Sequence, residues 1–257
     1  MASTVSLEGI KKAVFFPFQG RSWPTKLLIG IVLGLAGFLV VPALFINGYS
    51  ARIMQNIIRA DEDPSLPEWT DWGGLLLDGV KLFGVVVLYQ LPALLLIVGG
   101  YFLSLALSLG FSLAVVPLAS SDPNNIPAWP FIGSMFGSFA GIFIAVFGFM
   151  LVFVSLIFVP PAVGNMIAKG EFNAAFRVRE WWPVFKANLS GYFLAVVIAL
   201  GLMSVLYFVL MAFYMTVVLC ALLPLVIGMT AFVVGMVTYA LFAVAYRDGI
   251  RKLAVEA

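Results

Sequence analysis

The sequence contains no histidine and only one cysteine, Cys220. Histidine is the commonest ligand for transition metals in proteins and the commonest general base near neutral pH. A single thiol can form neither an intrachain disulfide nor a cysteine-ligated iron–sulfur cluster. We therefore expect no cofactor and no metal ion. Because no pairing of a nucleophile with a base is recognisable, we assign no catalytic residues and expect that the protein is not an enzyme.

Charged residues are also scarce. They make up 10% of the chain, against 63% hydrophobic residues, and the mean hydropathy is +1.12. A soluble domain is about 25% charged, and a soluble globule could not cover so much apolar surface. The net charge of +2 is too small for a protein that binds nucleic acid. The composition predicts an all-α, integral membrane helical bundle with the lipid bilayer as its main partner.

Long uncharged stretches predict four full spans within a single membrane domain, residues 1–257. Two of them are residues 82–118 and 131–160. Residues 191–246 hold no charge and are too long for one span, so we divide them near Leu223 and Pro224. The remaining segmentation is as follows: an amphipathic N-terminal segment (1–26), a first apolar run (27–48), a cytoplasmic linker (49–81), an interfacial helix (165–190), spans at 191–221 and 224–246, and a cytoplasmic tail (247–257).

The distribution of lysine and arginine predicts the orientation. Residues 49–81, residues 161–190 and the C-terminal tail hold ten of the fourteen basic residues, and the 119–130 loop holds none. Cytoplasmic segments carry the excess of basic residues. Single cysteines at Asn124 and Glu171, in a Cys220→Ala chain, should therefore react with an impermeant thiol reagent from opposite sides of the membrane. Labelling of both from one side would contradict this topology.

The first apolar run, residues 27–48, has two interpretations. Four basic residues precede it, and a single crossing would place them outside, against the rule. A re-entrant hairpin that turns near Gly34–Gly37 and returns through Pro42 keeps them in the cytoplasm. It requires that other spans bury its irregular backbone. A fifth span with an external N-terminus is the alternative.

Three glycines recur at every fourth position in the 131–160 span: Gly133, Gly137 and Gly141. Such spacing makes a ridge of small residues that lets another helix approach closely. Packing within the chain is favoured over packing against a partner. Gln90 is the most polar side chain deep in a span, and Pro92 lies two residues after it. It is either a polar site on a solute path or a partner for the backbone carbonyl that Pro92 leaves free.

Aromatic and acidic residues surround the spans. Residues 171–190 combine hydrophobic residues at helical spacing with basic residues, which is typical of a helix in the membrane interface. The same pattern fits a lead-in helix that packs against the spans, and both interpretations can hold together. In the linker, Glu68 and Asp71 are interpreted as caps of the following helix or as partners of Arg52 or Arg59. Gly73 and Gly79 are interpreted as glycines of turns or of close packing.

Several motifs resemble an uncharacterised prokaryotic membrane family, the domain of unknown function 4013. The resemblance covers roughly residues 15–250. Its most specific element is Leu66-Pro67-Glu68-Trp69, which continues through Trp72, Gly73 and Asp78. A second element is Glu171-Phe172-Asn173-Ala174-Ala175-Phe176, with Asn188 downstream. The resemblance implies a multi-pass protein of a prokaryotic cytoplasmic membrane and implies no activity.

These features favour a non-enzymatic membrane protein that acts through helix packing. It would be an accessory or scaffold subunit, with other membrane-protein subunits as possible partners, or a lipid-interacting protein. The alternative is a transporter or channel for a neutral or apolar solute that passes near Gln90. The spans contain no Asp, Glu, Lys or Arg, whereas proton-coupled transporters keep such groups there.

Overall fold

The computed structural model describes residues 7–20, 22–37, 39–121, 125–216 and 222–256. Within these ranges the protein is an all-α bundle and contains no strand. The helices are α1 (Leu7–Phe15), α2 (Trp23–Leu35), α3 (Val40–Ile58), α4 (Trp72–Ser121), α5 (Trp129–Lys169), α6 (Val178–Ala187), α7 (Leu189–Tyr214) and α8 (Leu223–Glu256). Short 3₁₀ turns cover Phe16–Phe18 and Phe172–Phe176.

In the described part of the chain, four helices are long and apolar enough to cross a membrane: α4, α5, α7 and α8. This confirms the predicted membrane fold with four long spans. The 50 residues of α4 amount to roughly 75 Å at about 1.5 Å per residue, which is more than twice the roughly 30 Å hydrocarbon core.

The division of residues 191–246 differs in detail from the prediction. Helix α7 ends at Tyr214, and Leu223 and Pro224 are the first residues of α8 rather than a turn. Proline is tolerated in the first helical turn because its missing N–H has no partner there. Cys220 lies outside the described residues.

The first apolar run forms two helices. Helix α2 ends at Leu35, and the backbone N–H of Gly37 donates to the carbonyl of Gly34. Helix α3 then begins at Val40 with Pro42 in its first turn. The connection, residues 36–39, therefore overlaps the predicted turn at Gly34–Gly37. Whether these two helices re-enter or cross the membrane stays a prediction.

The expected linker, residues 49–81, is largely helical. Helix α3 continues to Ile58 because Ile53, Met54 and Ile57 recur at helical spacing and are buried. The charged residues scattered through this segment made the helical periodicity unrecognisable in the sequence, so it was predicted to be a linker. Helix α4 begins at Trp72, so only residues 59–71 connect the two helices.

The expected interfacial helix, residues 165–190, is also divided. Helix α5 ends at Lys169, and Gly170 follows with φ of +77°. Such a left-handed residue commonly terminates a helix, and glycine adopts it without steric cost. The 3₁₀ turn and α6 follow, and Trp181 of α6 is buried. Trp181 therefore packs inside the protein rather than facing the membrane interface.

The chain divides into two compact units. The first comprises residues 1–85 and 160–257, where α8 packs against α2, α3, α6 and α7. Phe232, Met236 and Tyr246 of α8 are almost completely buried in this core. The second unit, residues 86–159, consists of the remaining parts of α4 and α5.

Candidate functional site

The Leu-Pro-Glu-Trp motif connects three helices of the first unit. Trp69 stacks on Tyr49 of α3 with ring centroids 4.2 Å apart and an angle of 14° between the rings. The Tyr49 hydroxyl donates to the carbonyl of Pro67 at 3.0 Å. The indole N–H of Trp69 donates to the carbonyl of Lys26 in α2 at 3.1 Å. Trp72 lies against Trp69 with centroids 5.6 Å apart.

Lys26 closes this arrangement. Its Nζ donates to the carbonyl of Leu66 at 2.8 Å and lies 2.7 Å from Oε1 of Glu68. The prediction that Glu68 pairs with Arg52 or Arg59 is therefore wrong. Glu68 is exposed. Lys26 lies near the start of α2, far from Glu68 in the sequence, so no local sequence pattern predicted this ion pair. The motif fixes the connection between α3 and α4 against α2.

Asp71 has both roles predicted for it. One carboxylate oxygen accepts the backbone N–H of Gly74 at 2.9 Å and thereby caps α4, and the other forms an ion pair with Arg52 at 2.5 Å. The Gly74 N–H and the Arg52 guanidinium together hold the pKa of Asp71 below its usual value. Gly74 is the crowded glycine here, because a Cβ would meet both Asp71 and Arg52. At Gly73 a Cβ would find only Asp71, at 4.0 Å.

Asp78 lies within the first turns of α4, with its carboxylate 3.7 Å from Nε of Arg52. Arg52 thus pairs with two acids at the start of α4, the capping residue Asp71 and Asp78 within the helix. Asp78, Arg59 and Lys81 also line a cavity of about 120 Å³ between α3, α4 and the end of α5. The cavity was not recognisable from the sequence, because its residues come from three distant segments.

The second family element surrounds Asn165, which is 2% exposed. Its amide donates to the carbonyl of Ala174 at 2.8 Å and to Glu180 at 3.1 Å. Its oxygen accepts from the hydroxyl of Tyr246 at 3.0 Å. The bond from Asn165, with Arg177 and Lys169 nearby, lowers the pKa of Glu180. Sequence analysis did not single out Asn165, because an asparagine near the end of an apolar run is not diagnostic.

Asn188 has a similar role between α6 and α7. Its amide donates to the carbonyl of Ala245 at 2.8 Å, and its oxygen accepts from Lys252 at 2.7 Å. Asn188 and Asp78 each follow a tryptophan by six residues in the sequence. Each also faces a cation on another helix, Lys252 and Arg52 respectively.

The glycine ridge lies within the second unit. A Cβ at Gly133 would meet the ring of Phe111, one at Gly137 would meet Cβ of Leu107 at 2.7 Å, and one at Gly141 would meet the Gly100 carbonyl at 2.5 Å. The ridge of α5 therefore faces α4. Gly100 is its counterpart on α4, since a Cβ there would lie 2.6 Å from the Gly141 carbonyl. Nothing in the sequence indicated that Gly100, rather than its neighbour Gly99, lies in this contact.

Gly137→Leu should destabilise the second unit by about 1–3 kcal/mol, because the added side chain would force α5 away from Leu107. The matched control is Gly110→Leu on α4 of the same unit, where an added Cβ finds nothing within 4 Å. Thermal unfolding of the purified chain in detergent should show a lower midpoint for Gly137→Leu only. Equal midpoints for both variants would contradict close packing at the ridge.

Gln90 lies opposite Ser155, also within the second unit. The Ser155 hydroxyl lies 2.8 Å from Oε1 of Gln90 and 2.7 Å from the carbonyl of Val152. Ser104 likewise donates to the carbonyl of Ser138, and Ser108 pairs with Ser134. These polar side chains form hydrogen bonds between α4 and α5.

No grouping of three or more His, Cys, Asp or Glu side chains within the described ranges is placed to hold a metal ion. The acids described above instead contact basic side chains or backbone N–H groups. This geometry stabilises helix packing.

Comparison with known proteins places these motifs in a family. A family model described as "Protein of unknown function (DUF4013)" matches residues 31–215. The match includes both the Leu66–Asp78 and the Glu171–Asn188 elements and is shorter at each end than the resemblance inferred from the sequence. No curated protein and no solved structure matches the chain. Because the family model covers more than half of its length, this multi-pass membrane protein belongs to the DUF4013 family.

Proposed function

We propose that this protein is a non-enzymatic accessory or scaffold subunit of a prokaryotic cytoplasmic membrane that acts through helix packing and lipid contact. The observation that carries the proposal is the division of α5 into two faces. Its small residues pack on α4, whereas Phe143 and Phe153 are 75% and 68% exposed. Such a surface suits contact with lipid or with another apolar helix.

The use of polar groups supports a packing role over solute transport. A path for a polar solute near Gln90 needs polar side chains that face a water-filled space. The Oε1 atom of Gln90 instead lies at hydrogen-bonding distance from Ser155, and Ser104 and Ser108 bond across to α5. The alternative of a transporter with a path near Gln90 therefore has less support than a scaffold.

The test is extraction of the tagged, full-length chain from its native membrane in mild detergent. We expect it to migrate in an assembly larger than the isolated chain. Alanine at Phe143 and Phe153 should reduce recovery of that assembly while leaving the melting of the isolated chain unchanged. The matched control replaces Phe193 and Phe208 of α7, both 71% exposed. Migration of the wild-type chain alone under every mild extraction would overturn the scaffold function.

A further inference from the structure

The cavity between α3, α4 and the end of α5 has an apolar floor and a charged rim. Its volume is about 120 Å³, well above the roughly 10–15 Å³ that one water molecule requires. Ala51, Met166 and Ile167 form the floor and are buried. The rim consists of Gln55, Arg59, Asp78, Lys81 and Gly170. The space accommodates a group of several heavy atoms, such as a phosphate.

The rim has more positive than negative charge. Neither Lys81 nor Arg59 forms an ion pair in the described part of the chain. Asp78, the one acid of the rim, already lies 3.7 Å from Arg52. Two basic side chains that lack carboxylate partners therefore face one partly neutralised acid, an arrangement that attracts an anion.

The orientation of Arg59 is fixed by the protein. Its Nε donates to the carbonyl of Ile167. Its terminal nitrogen Nη2 lies 2.6 Å from the position that a Cβ on Gly170 would occupy. Because one N–H holds the guanidinium in place, the others are available to a ligand. A guanidinium held in this way presents the paired donors that phosphate oxygens accept.

Lys81 marks the boundary between polar and apolar sequence. It is the last charged residue before a run without Asp, Glu, Lys or Arg that reaches Ser121. Basic side chains at such boundaries lie level with lipid headgroups. A ligand phosphate in the cavity would therefore lie where the phosphates of a membrane leaflet lie.

We propose that this cavity binds the phosphodiester of an anionic phospholipid headgroup. Arg59 and Lys81 donate to the phosphate oxygens, and the lipid chains extend along the apolar surface beyond Lys81. Asp78 disfavours free inorganic phosphate, which carries more negative charge than a phosphodiester. The site goes beyond the scaffold function, and it is tested on the isolated chain, so either can fail without the other.

The test uses the purified full-length chain in an uncharged detergent, titrated with phosphatidylglycerol and followed by native mass spectrometry. Lys81→Gln should weaken phosphatidylglycerol binding about tenfold through loss of one charge-assisted hydrogen bond. Lys81→Arg should retain it. The matched control is Lys186→Gln, which removes the same charge from a cation over the Trp182 ring, outside the cavity. The control should bind like the unchanged chain.

Two further arms separate the sources of phosphate. Inorganic phosphate should displace phosphatidylglycerol only weakly, and phosphatidylcholine should bind less tightly than phosphatidylglycerol. Inorganic phosphate that binds as tightly as the lipid would overturn the assignment to a lipid. Equal losses for Lys81→Gln and Lys186→Gln would show general charge attraction and overturn the site. Arg59→Lys, which keeps the charge but loses the bond to Ile167, should weaken binding; unchanged binding would remove Arg59 from the site.

Discussion

Gly79→Ala should lower the thermal unfolding midpoint of the purified chain more than any other single methyl addition to α4. A Cβ at Gly79 would meet the Leu44 carbonyl and lie 2.9 Å from the backbone nitrogen of Gly48. These obstacles are backbone atoms of α3, which cannot rotate away as a side chain can. We expect destabilisation at or above the upper end of the roughly 1–3 kcal/mol typical of overpacking.

The control for this prediction is Gly99→Ala in the same helix. An added Cβ there finds nothing within 4 Å, and alanine is favoured over glycine in a helix by about 1 kcal/mol. Gly99→Ala should therefore unfold at the same temperature as the unchanged chain or a higher one. Equal behaviour of the two variants would mean that α3 and α4 do not cross at Gly48 and Gly79.

Asn165→Leu should destabilise the first unit by about 3 kcal/mol or more. Leucine has a similar volume, but it leaves the Ala174 carbonyl and the Tyr246 hydroxyl without their partner. Each buried polar group left unsatisfied costs about 1–3 kcal/mol. Glu180 also loses its bond from Asn165. Chemical or thermal unfolding in detergent measures the loss.

Tyr246→Phe provides the comparison, because it removes only one of the three bonds and should cost about 1 kcal/mol. In the Tyr246→Phe chain, Asn165→Leu should cost less than in the unchanged chain, since the hydroxyl is already absent. Additive losses would show that the two side chains do not interact.

Composition and hydropathy were sufficient to predict the class of this protein. Residues 82–118, 131–160 and 191–246 lack charge over lengths that only a membrane accommodates, and the long apolar helices α4, α5, α7 and α8 lie in these stretches. The burial of uncharged side chains in lipid depends on local sequence alone, so it can be predicted without tertiary information. The sequence motifs, of which Leu-Pro-Glu-Trp is the most specific, likewise predicted the family that the family model confirms.

The contacts of these elements were decided only by tertiary structure. Asn165 accepts a hydrogen bond from Tyr246, 81 positions away. Lys26 of α2 forms an ion pair with Glu68, which lies in the connection between α3 and α4. Sequence spacing indicated that Gly133, Gly137 and Gly141 share a face, but not that Gly100 rather than Gly99 opposes them. Which glycine lies in the contact depends on the rotation of each helix about its axis and on the point where the two helices cross. Both depend on the packing of the rest of the chain.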